Sequence, residues 1–378
     1  MTEVTNRNQF DISKPTDYLS RKMFLDEAGV VTLQRFEEVK YPKIDEFEKL
    51  ARAYFWTPEE IDLNKDKADM KEATEAIKHM FTSNILRQTT LDSSQGKTPA
   101  QIFSPCVSLP EMEALMYVWT FFETNIHSRS YSHLIQNIYN VPKTVFETVH
   151  ETQHIVDMAS SVGEHYNRVH DFNCMLDLQA KFPHIAELKV NTYEHKKAIY
   201  LAMHASYALE AIRFMVSFAT SLAMMENKIF IGNGNIICLI LQDELLHAQW
   251  TAYILKTMVK DDPDFAKIKE ETTEEVYKIY EDVINEEKTW ATYLCSKGPV
   301  IGLNERILSS FVDYTAKEVL AEIGIKYRGG FPKSHPIPWF LKHKNIDMKQ
   351  TALQESESVS YVLNAMTDTI DFRELPDL

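Results

Sequence analysis

Three stretches of this sequence place carboxylates inside helical patterns that are otherwise almost entirely apolar. They read FETNIHSRSY at residues 122–131, YALEAIRFMVSFA at 207–219 and ICLILQDELLHAQW at 237–250. A buried carboxylate without a partner either carries a large desolvation cost or takes up a proton. The chain must therefore fold so that these groups meet one another or a cation.

The spacing of the polar residues within these stretches indicates a metal site. Glu123 and His127 are four residues apart, and Glu244 and His247 are three apart, so the members of each pair share a helix face. One such pair alone is more often an ordinary surface or hydrogen-bonded pair. Two pairs together with the isolated Glu210 predict a carboxylate-bridged dimetal site, in which two helices each give an acid and two others each give a Glu–His pair.

This set lacks one acid, and Asp92 is the best candidate for it. Asp92 precedes the sequence SSQG, which we expect to end a helix together with the glycine and prolines nearby. Four carboxylates would balance the charge of two divalent ions. Hard oxygen ligands with two imidazoles favour iron or manganese, and the lack of thiolates argues against structural zinc.

The composition favours helices along the whole chain, since 378 residues include only 10 glycines and 14 prolines. TPEEIDL after Trp56 has the pattern of a helix N-terminus. We predict an all-α helical bundle with additional surrounding helices at 41–345, after an irregular segment at 1–40 and before a flexible acidic tail at 346–378. Its long helices are predicted at about 110–140, 143–180, 186–225, 233–260, 266–296 and 304–327.

Charge and cysteine usage exclude several classes of protein. The net charge of −15 argues against general binding to nucleic acids or anionic membranes, although an acidic balance is also what solubility alone requires. No apolar run is long enough to span a membrane, and the N-terminus lacks the apolar core of a signal peptide. The four cysteines form no CxxC pair, which suits a reducing cytoplasm.

Beyond the ligand pattern, the chain resembles the small, radical-generating subunit of class I ribonucleotide reductase, a ferritin-like bundle. The resemblance extends from about Trp56 to Tyr361, and its motifs are specific. The matching stretches are LDSSQG, PEMEALMYVW, IHSRSYSHLIQNI, ALEAIRF, VSFA, DELLH, VIGLN and HPIPW. By this resemblance the chain is a ribonucleoside-diphosphate reductase subunit that serves deoxyribonucleotide synthesis and DNA replication. One ion would be held by Asp92, Glu123 and His127, and the other by Glu210, Glu244 and His247.

The resemblance also assigns the tyrosine that follows His127 by four residues. A single tyrosine in a helix is ordinarily a core residue, but Tyr131 corresponds to the one that holds a stable radical, formed with O2 at the metal site. The metal pair would be two irons, with dimanganese or manganese–iron as alternatives. The walls of the radical pocket would be Phe214, Phe218 and Ile240.

A route for the oxidising equivalent is also implied by the resemblance. It would run from His127 through Asp243 to Trp56, and then to Tyr361 in the acidic tail. The final DFRELPDL would dock on the large catalytic subunit, and the small subunit would be a homodimer. On sequence alone, Trp56 is about as well explained as a core aromatic, and such a tail is more often merely solvated.

The sequence departs from the family pattern at the first Glu–His pair. Family members usually have two residues between these ligands, whereas Thr124, Asn125 and Ile126 lie between Glu123 and His127. One extra residue would rotate the following helix by about 100° unless a π-bulge absorbs it. We predict a bulge near Thr124–Asn125 with Glu123 retained as a ligand; the alternative is that Glu123 turns away from the site.

Two other functions are compatible with a dimetal bundle. A ferritin-like oxidase that hydroxylates or desaturates a small substrate would use the same ligands, but it would not need Tyr361 or a docking tail. A metal storage protein is a second alternative. Storage bundles are typically short and form cages, whereas this chain is long and has a specific tail.

Overall fold

The computed structural model describes residues 7–13, 17–300 and 302–344, and over these ranges the protein is helical without a strand ladder. The irregular segment before Pro42 contributes one isolated bridge, Phe24 with Val107. The α-helices are α1 (Pro42–Ala53), α2 (Asn64–Glu72), α3 (Glu75–Gln95), α4 (Pro110–Phe121), α5 (Ser128–Ile138), α6 (Pro142–Glu147), α7 (Gln153–Lys181), α8 (Thr192–Ala208), α9 (Met215–Glu226), α10 (Ile231–Asp261), α11 (Pro263–Glu271), α12 (Thr273–Leu294) and α13 (Glu305–Glu322).

Five shorter 3₁₀ turns and three π-helical segments join or extend these helices. The 3₁₀ turns are Pro58–Glu60, Ser104–Cys106, Thr148–Glu151, Ala186–Leu188 and Pro338–Lys344. The π-helical segments are Pro99–Phe103, Phe122–His127 and Leu209–Arg213. The second segment joins α4 to α5 and the third joins α8 to α9, so both lie where carboxylates were predicted as ligands.

The π-bulge predicted from the extra residue is present. Helical geometry continues from α4 into α5 through Phe122–His127, which includes Thr124 and Asn125. A π-turn takes up one residue more than an α-turn. Glu123 and His127 therefore both keep their side chains on the interior face of the bundle, where each is fully buried.

The sequence predictions were wrong about several helix ends. TPEEIDL forms only the 3₁₀ turn Pro58–Glu60, and the Thr57 side chain makes no capping hydrogen bond. The predicted helix at 143–180 is interrupted at 148–152, and that at 266–296 is interrupted at Thr272. The sequence LDSSQ, expected to break a helix, instead forms the last turn of α3, because Gly96 itself keeps helical backbone angles.

Tertiary contacts fix α10 and α3, which carry three of the six predicted ligands. Asp66 of α2 accepts hydrogen bonds from the backbone N–H groups of Gly232 and Asn233, at 3.0 and 2.7 Å, and so caps α10. At the end of α3, a Cβ on Gly96 would lie 2.6 Å from Thr124 Cγ2. Only glycine allows α3 to approach the π-segment this closely.

One helical stretch, Ala186–Glu226, is long and apolar enough to cross a membrane by length and composition. However, 94% of its most apolar window is buried inside the protein. This is the pattern of a core helix, and α8 and α9 indeed lie at the centre of the bundle.

Candidate metal centre

The six predicted ligands are brought together in the interior of the bundle. Potential ligand atoms lie within 4.8 Å of one another in two groups. Glu123 and Glu244 belong to both groups, whereas each of the other four belongs to one. The first group is Asp92, Glu123, His127 and Glu244, and the second is Glu123, Glu210, Glu244 and His247.

Glu123 and Glu244 each turn one oxygen toward each imidazole. Glu244 places Oε1 3.1 Å from His127 Nδ1 and Oε2 2.8 Å from His247 Nδ1. Glu123 places Oε2 3.5 Å from His127 Nδ1 and Oε1 2.9 Å from His247 Nδ1. The two glutamates can therefore bridge a pair of ions, an arrangement that the sequence could not specify.

Asp92 and Glu210 occupy the outer positions. An Asp92 oxygen lies 3.8 Å from His127 Nδ1, and a Glu210 oxygen lies 3.8 Å from His247 Nδ1. All six ligands are at most 1% exposed. The imidazole rings of His127 and His247 stack with their centroids 5.7 Å apart.

The residues fit a pair of divalent cations because most of the oxygen and nitrogen atoms that face the centre of the site have no hydrogen-bond partner in the described part of the chain. Among the described residues, buried atoms without a hydrogen-bond partner are concentrated here. They include both oxygens of Asp92 and of Glu244, one oxygen each of Glu123 and Glu210, and Nδ1 of both histidines. Four carboxylates and two imidazoles are a donor set suited to iron or manganese. The site therefore fits a dimetal centre, without distinguishing between these metals.

The electrostatics of the protein without metal reflect this missing positive charge. Burial, and then repulsion from Glu123 and Glu244, holds the pKa of Asp92 well above its usual value. Burial raises the pKa of Glu210 in the same way. Burial opposes ionisation of Glu244 too, but His127 and His247 outweigh it and lower the pKa of that carboxyl. Protons thus partly replace the cations that the site is built to hold.

Trp119, which the sequence analysis did not single out, aligns two of the carboxylates. Its indole N–H lies 3.2 Å from Glu123 Oε1 and 3.1 Å from Glu210 Oε1 and donates to both. It comes four residues before Glu123, so helical spacing alone could have identified it. Trp250 packs against both His247 and Trp119, with ring centroids 4.6 and 5.5 Å away.

The predicted chain from His127 to Trp56 is continuous in the structure. Asp243 Oδ2 lies 3.2 Å from His127 Nε2 and accepts the Trp56 indole N–H at 2.7 Å. The carboxylate therefore fixes the imidazole with Nδ1 turned toward the metal position. The rings of Trp56 and His127 stack at a centroid distance of 6.5 Å. Tyr361 lies outside the described residues.

Tyr131 lies fully buried one helical turn beyond His127. Burial, and then the negative charge of Asp92, holds the pKa of its phenol well above the usual value, so the hydroxyl stays protonated. The rings of Phe214 and Phe218 stack 5.3 Å apart, and Ile240 is fully buried on α10.

A helical bundle that buries four carboxylates and two imidazoles in this arrangement is a dimetal-carboxylate protein of the ferritin-like class. The family model of the ribonucleotide reductase small chain matches residues 34–331. The ribonucleoside-diphosphate reductase 1 subunit beta of Salmonella typhimurium is 37% identical, over 95% of this chain and 96% of that protein. The enterobacteria phage T4 subunit beta is 32% identical, over 98% of this chain and 97% of that protein. The chain therefore belongs to the ribonucleotide reductase small-chain family.

Solved structures support the same fold. A ribonucleotide reductase R2 subunit from Clostridium botulinum matches with a TM-score of 0.72 at 22% identity, covering 86% of this chain and 94% of that one. The dimanganese(II)-NrdF of Streptococcus sanguinis matches with a TM-score of 0.66 at 18% identity, covering 82% and 98%. The predicted fold class, family and enzyme class are confirmed, as is the function of a radical-generating small subunit. A small subunit of this family has a large-subunit partner and is in general a homodimer.

Proposed function

We propose that Tyr131 is the residue that carries the radical, and that the six ligands hold two iron ions beside it. The observation that carries this proposal is the position of Tyr131, which lies fully buried one turn beyond His127 and next to Asp92. Two bound iron ions would supply, with O2, the oxidising equivalent that removes one electron and the hydroxyl proton from this phenol. Manganese–iron and dimanganese are the alternatives, and the Streptococcus sanguinis relative contains dimanganese(II).

The surroundings of Tyr131 would protect a radical from water and reductants. Phe214 and Phe218 lie at the fourth and eighth positions after Glu210, and both are fully buried. Their rings are nearly parallel, with an interplanar angle of 9°. Together with Ile240 they would form an apolar wall of the radical pocket that offers a reductant no polar group to bind.

The hydrogen-bonded chain His127–Asp243–Trp56 would carry the oxidising equivalent away from the centre. Trp56 is 3% exposed, and Phe55 beside it is 44% exposed, so the chain ends just below the surface. Asp243 accepts a hydrogen bond from each ring and can hold the proton shared between them. Beyond Trp56, we propose that Tyr361 and the terminal DFRELPDL connect this surface to the large subunit.

Electron paramagnetic resonance tests the assignment. Metal-free protein is loaded with Fe(II), exposed to O2, and compared with Tyr131→Phe prepared in the same way. We expect a tyrosyl doublet in the wild type and none in the variant, with equal iron content in both. A doublet that persists in Tyr131→Phe would show that another residue carries the radical. A wild type that binds two irons without forming a radical would favour a manganese-containing centre.

The tail assignment is tested separately with a synthetic peptide of the final residues DFRELPDL. The peptide should compete with the small subunit for the large subunit and inhibit ribonucleotide reduction. A peptide of the same composition in scrambled order serves as the control. If both peptides inhibit equally, or if neither peptide inhibits, docking through this sequence is contradicted.

A further inference from the structure

A polar stripe runs along the buried face of α3 up to the metal centre. Asn84, Gln88 and Asp92 follow at four-residue intervals, so they lie on one face, and each is fully buried. Asp92 is a proposed ligand. The two amides before it have no part in the metal site or in the route to Trp56.

Three of the four polar atoms of these two amides lack a hydrogen-bond partner within the part of the chain that the structure describes. Both Oε1 and Nε2 of Gln88 are buried without a hydrogen bond, and so is Oδ1 of Asn84. Buried amides in folded proteins are nearly always hydrogen-bonded, and an unpaired one is strongly destabilising. A fully buried glutamine with neither end paired therefore points to a bound polar molecule.

The neighbouring helix α9 gives these amides one hydrogen bond within the described residues, between Asn84 and Thr220. Thr220 Oγ1 accepts the Asn84 amide at 2.5 Å, and its own proton is directed to the carbonyls of Val216 and Ser217. The Ser217 hydroxyl accepts from Trp290 Nε1 at 3.0 Å.

We propose that Gln88 and Asn84 bind ordered water between α3 and α9, and that Gln88 positions Asp92 through this water. Internal waters occur about once per 27 residues and typically make about three hydrogen bonds to otherwise unpaired groups. Asp92 lies one turn further along the same face, and both its oxygens are unpaired. One oxygen suffices for a metal bond, and the carboxyl also interacts with the Tyr131 phenol, so the second oxygen accepts from the water in addition to that contact. Gln88 would thus orient a metal ligand without touching the metal.

A crystal structure of the Mn(II)-loaded protein tests the water site directly. We expect ordered water within hydrogen-bonding distance of Gln88 Oε1 or Nε2. An amide that contacts only protein atoms in that structure would overturn the proposal. The measurement needs no radical, so it remains informative even if Tyr131 is not the radical residue.

The positioning role is tested by Mn(II) titration of Gln88→Met, with Leu86→Met on the same helix as the control. Gln88→Met keeps the length of the side chain and removes the amide. We expect Mn(II) binding to weaken roughly 10-fold in Gln88→Met, as is typical of changes behind a metal ligand, and to be unaltered in Leu86→Met. Unchanged affinity together with a raised melting temperature in Gln88→Met would mean that the amide is simply unpaired, and would contradict the proposal. If Gln88→Met does not fold, the crystal structure alone decides.

Discussion

Two clusters of buried charge lie along α3, and they differ in how that charge is balanced. In one cluster Arg87 is paired with Glu287, and Arg213 lies 2.6 Å from Glu286. Two cations there face two anions. In the other cluster, the metal centre, four carboxylates meet two imidazoles, and within the described part of the chain the ion-pair contacts of these carboxylates are with the two histidines. Asp92 lies only five residues after Arg87, so the two environments adjoin.

The comparison shows how a structural cluster differs from a ligand site. The arginine cluster is neutral by its own side chains, although burial still raises the pKa of Glu287 to about 7. The metal centre can become neutral only by taking up protons or cations. Buried atoms without a hydrogen-bond partner occur in both clusters, so the lack of a balancing cationic side chain, rather than burial of charge as such, is what identifies the metal site.

Removing one bridging carboxylate should have the largest effect. Glu244 belongs to both ligand groups, so Glu244→Gln should weaken binding of both ions by more than about 100-fold. This loss exceeds the roughly 10- to 100-fold loss that is typical when a residue hydrogen-bonded to a metal ligand is changed. Metal content after dialysis against Mn(II), measured by plasma mass spectrometry, reports this. The matched control is Glu286→Gln in the arginine cluster, which should retain both ions. Equal metal content in the two variants would contradict the distinction between the clusters.

Breaking the balanced cluster should instead reduce stability without affecting metal binding. Arg87→Met leaves Glu287 buried without its partner, which typically costs about 3–5 kcal/mol of the free energy of unfolding. Urea denaturation measures this loss. The double variant Arg87→Met/Glu287→Leu removes both charges and should recover much of the stability. A double variant as unstable as the single one would show that the loss comes from packing rather than from unpaired charge.

The pH dependence of stability tests the same difference between structural residues and the metal centre, because buried histidines occur in both. Burial lowers the pKa of His195 and of His204 to about 3, whereas the neighbouring Glu244 raises the pKa of the ligand His127. His195 and His204 are protonated on unfolding but not in the folded protein. Their contribution to stability is therefore complete above about pH 6.5 and is lost as the pH falls toward 3.

Each of these two histidines should contribute a slope of about 1.4 kcal/mol per pH unit below pH 6.5. Urea denaturation at pH 6.5 and 5.5 measures the slope. His204→Phe removes one titrating group. The slope of the unfolding free energy against pH should therefore fall by about half of the amount that His195 and His204 contribute together. An unchanged slope in His204→Phe would show that this histidine is already protonated in the folded protein.

The smallest effect is expected for a residue that aligns the ligands. Trp119→Phe removes the hydrogen bonds to Glu123 and Glu210 and should weaken Mn(II) binding roughly 10- to 100-fold. Trp250→Phe is the matched control, because its indole N–H has no hydrogen-bond partner among the described residues. Isothermal titration separates the two variants. Equal losses would indicate that the ring contacts around His247, rather than the hydrogen bonds, hold the site.

That the six candidate ligands lie together was predictable from sequence, because each helix carries its acids at helical spacing within apolar surroundings. The bulge at Phe122–His127 was predictable because an extra residue stands between two ligands. The second π-segment, Leu209–Arg213, has no such signal, since Glu210 is the only ligand on its helix. Which carboxylates bridge depends on the mutual rotation of four helices, and that information is not local.

The errors in the predicted helix ends arise from hydrogen bonds of individual side chains. Ser93 and Ser94, read as part of a break, direct their hydroxyls to the carbonyls of Thr89 and Thr90 and so remain within α3. Thr57 was expected to cap a helix but makes no such bond, and the chain there turns Trp56 toward Asp243 instead. At Ser93 and Ser94 hydrogen bonds within the helix keep the chain helical, whereas at Thr57 a tertiary contact of the site outweighs the local preference.

The central claim is that six residues hold two ions, with Glu123 and Glu244 shared between them despite the extra residue before His127. Anomalous diffraction at the iron edge, from crystals loaded with Fe(II) without oxygen, tests it most directly. We predict two iron peaks in each chain. Glu123 and Glu244 should each direct one carboxylate oxygen toward one iron and the other oxygen toward the second iron. A single peak, or a Glu123 side chain turned away from both irons, would contradict the account.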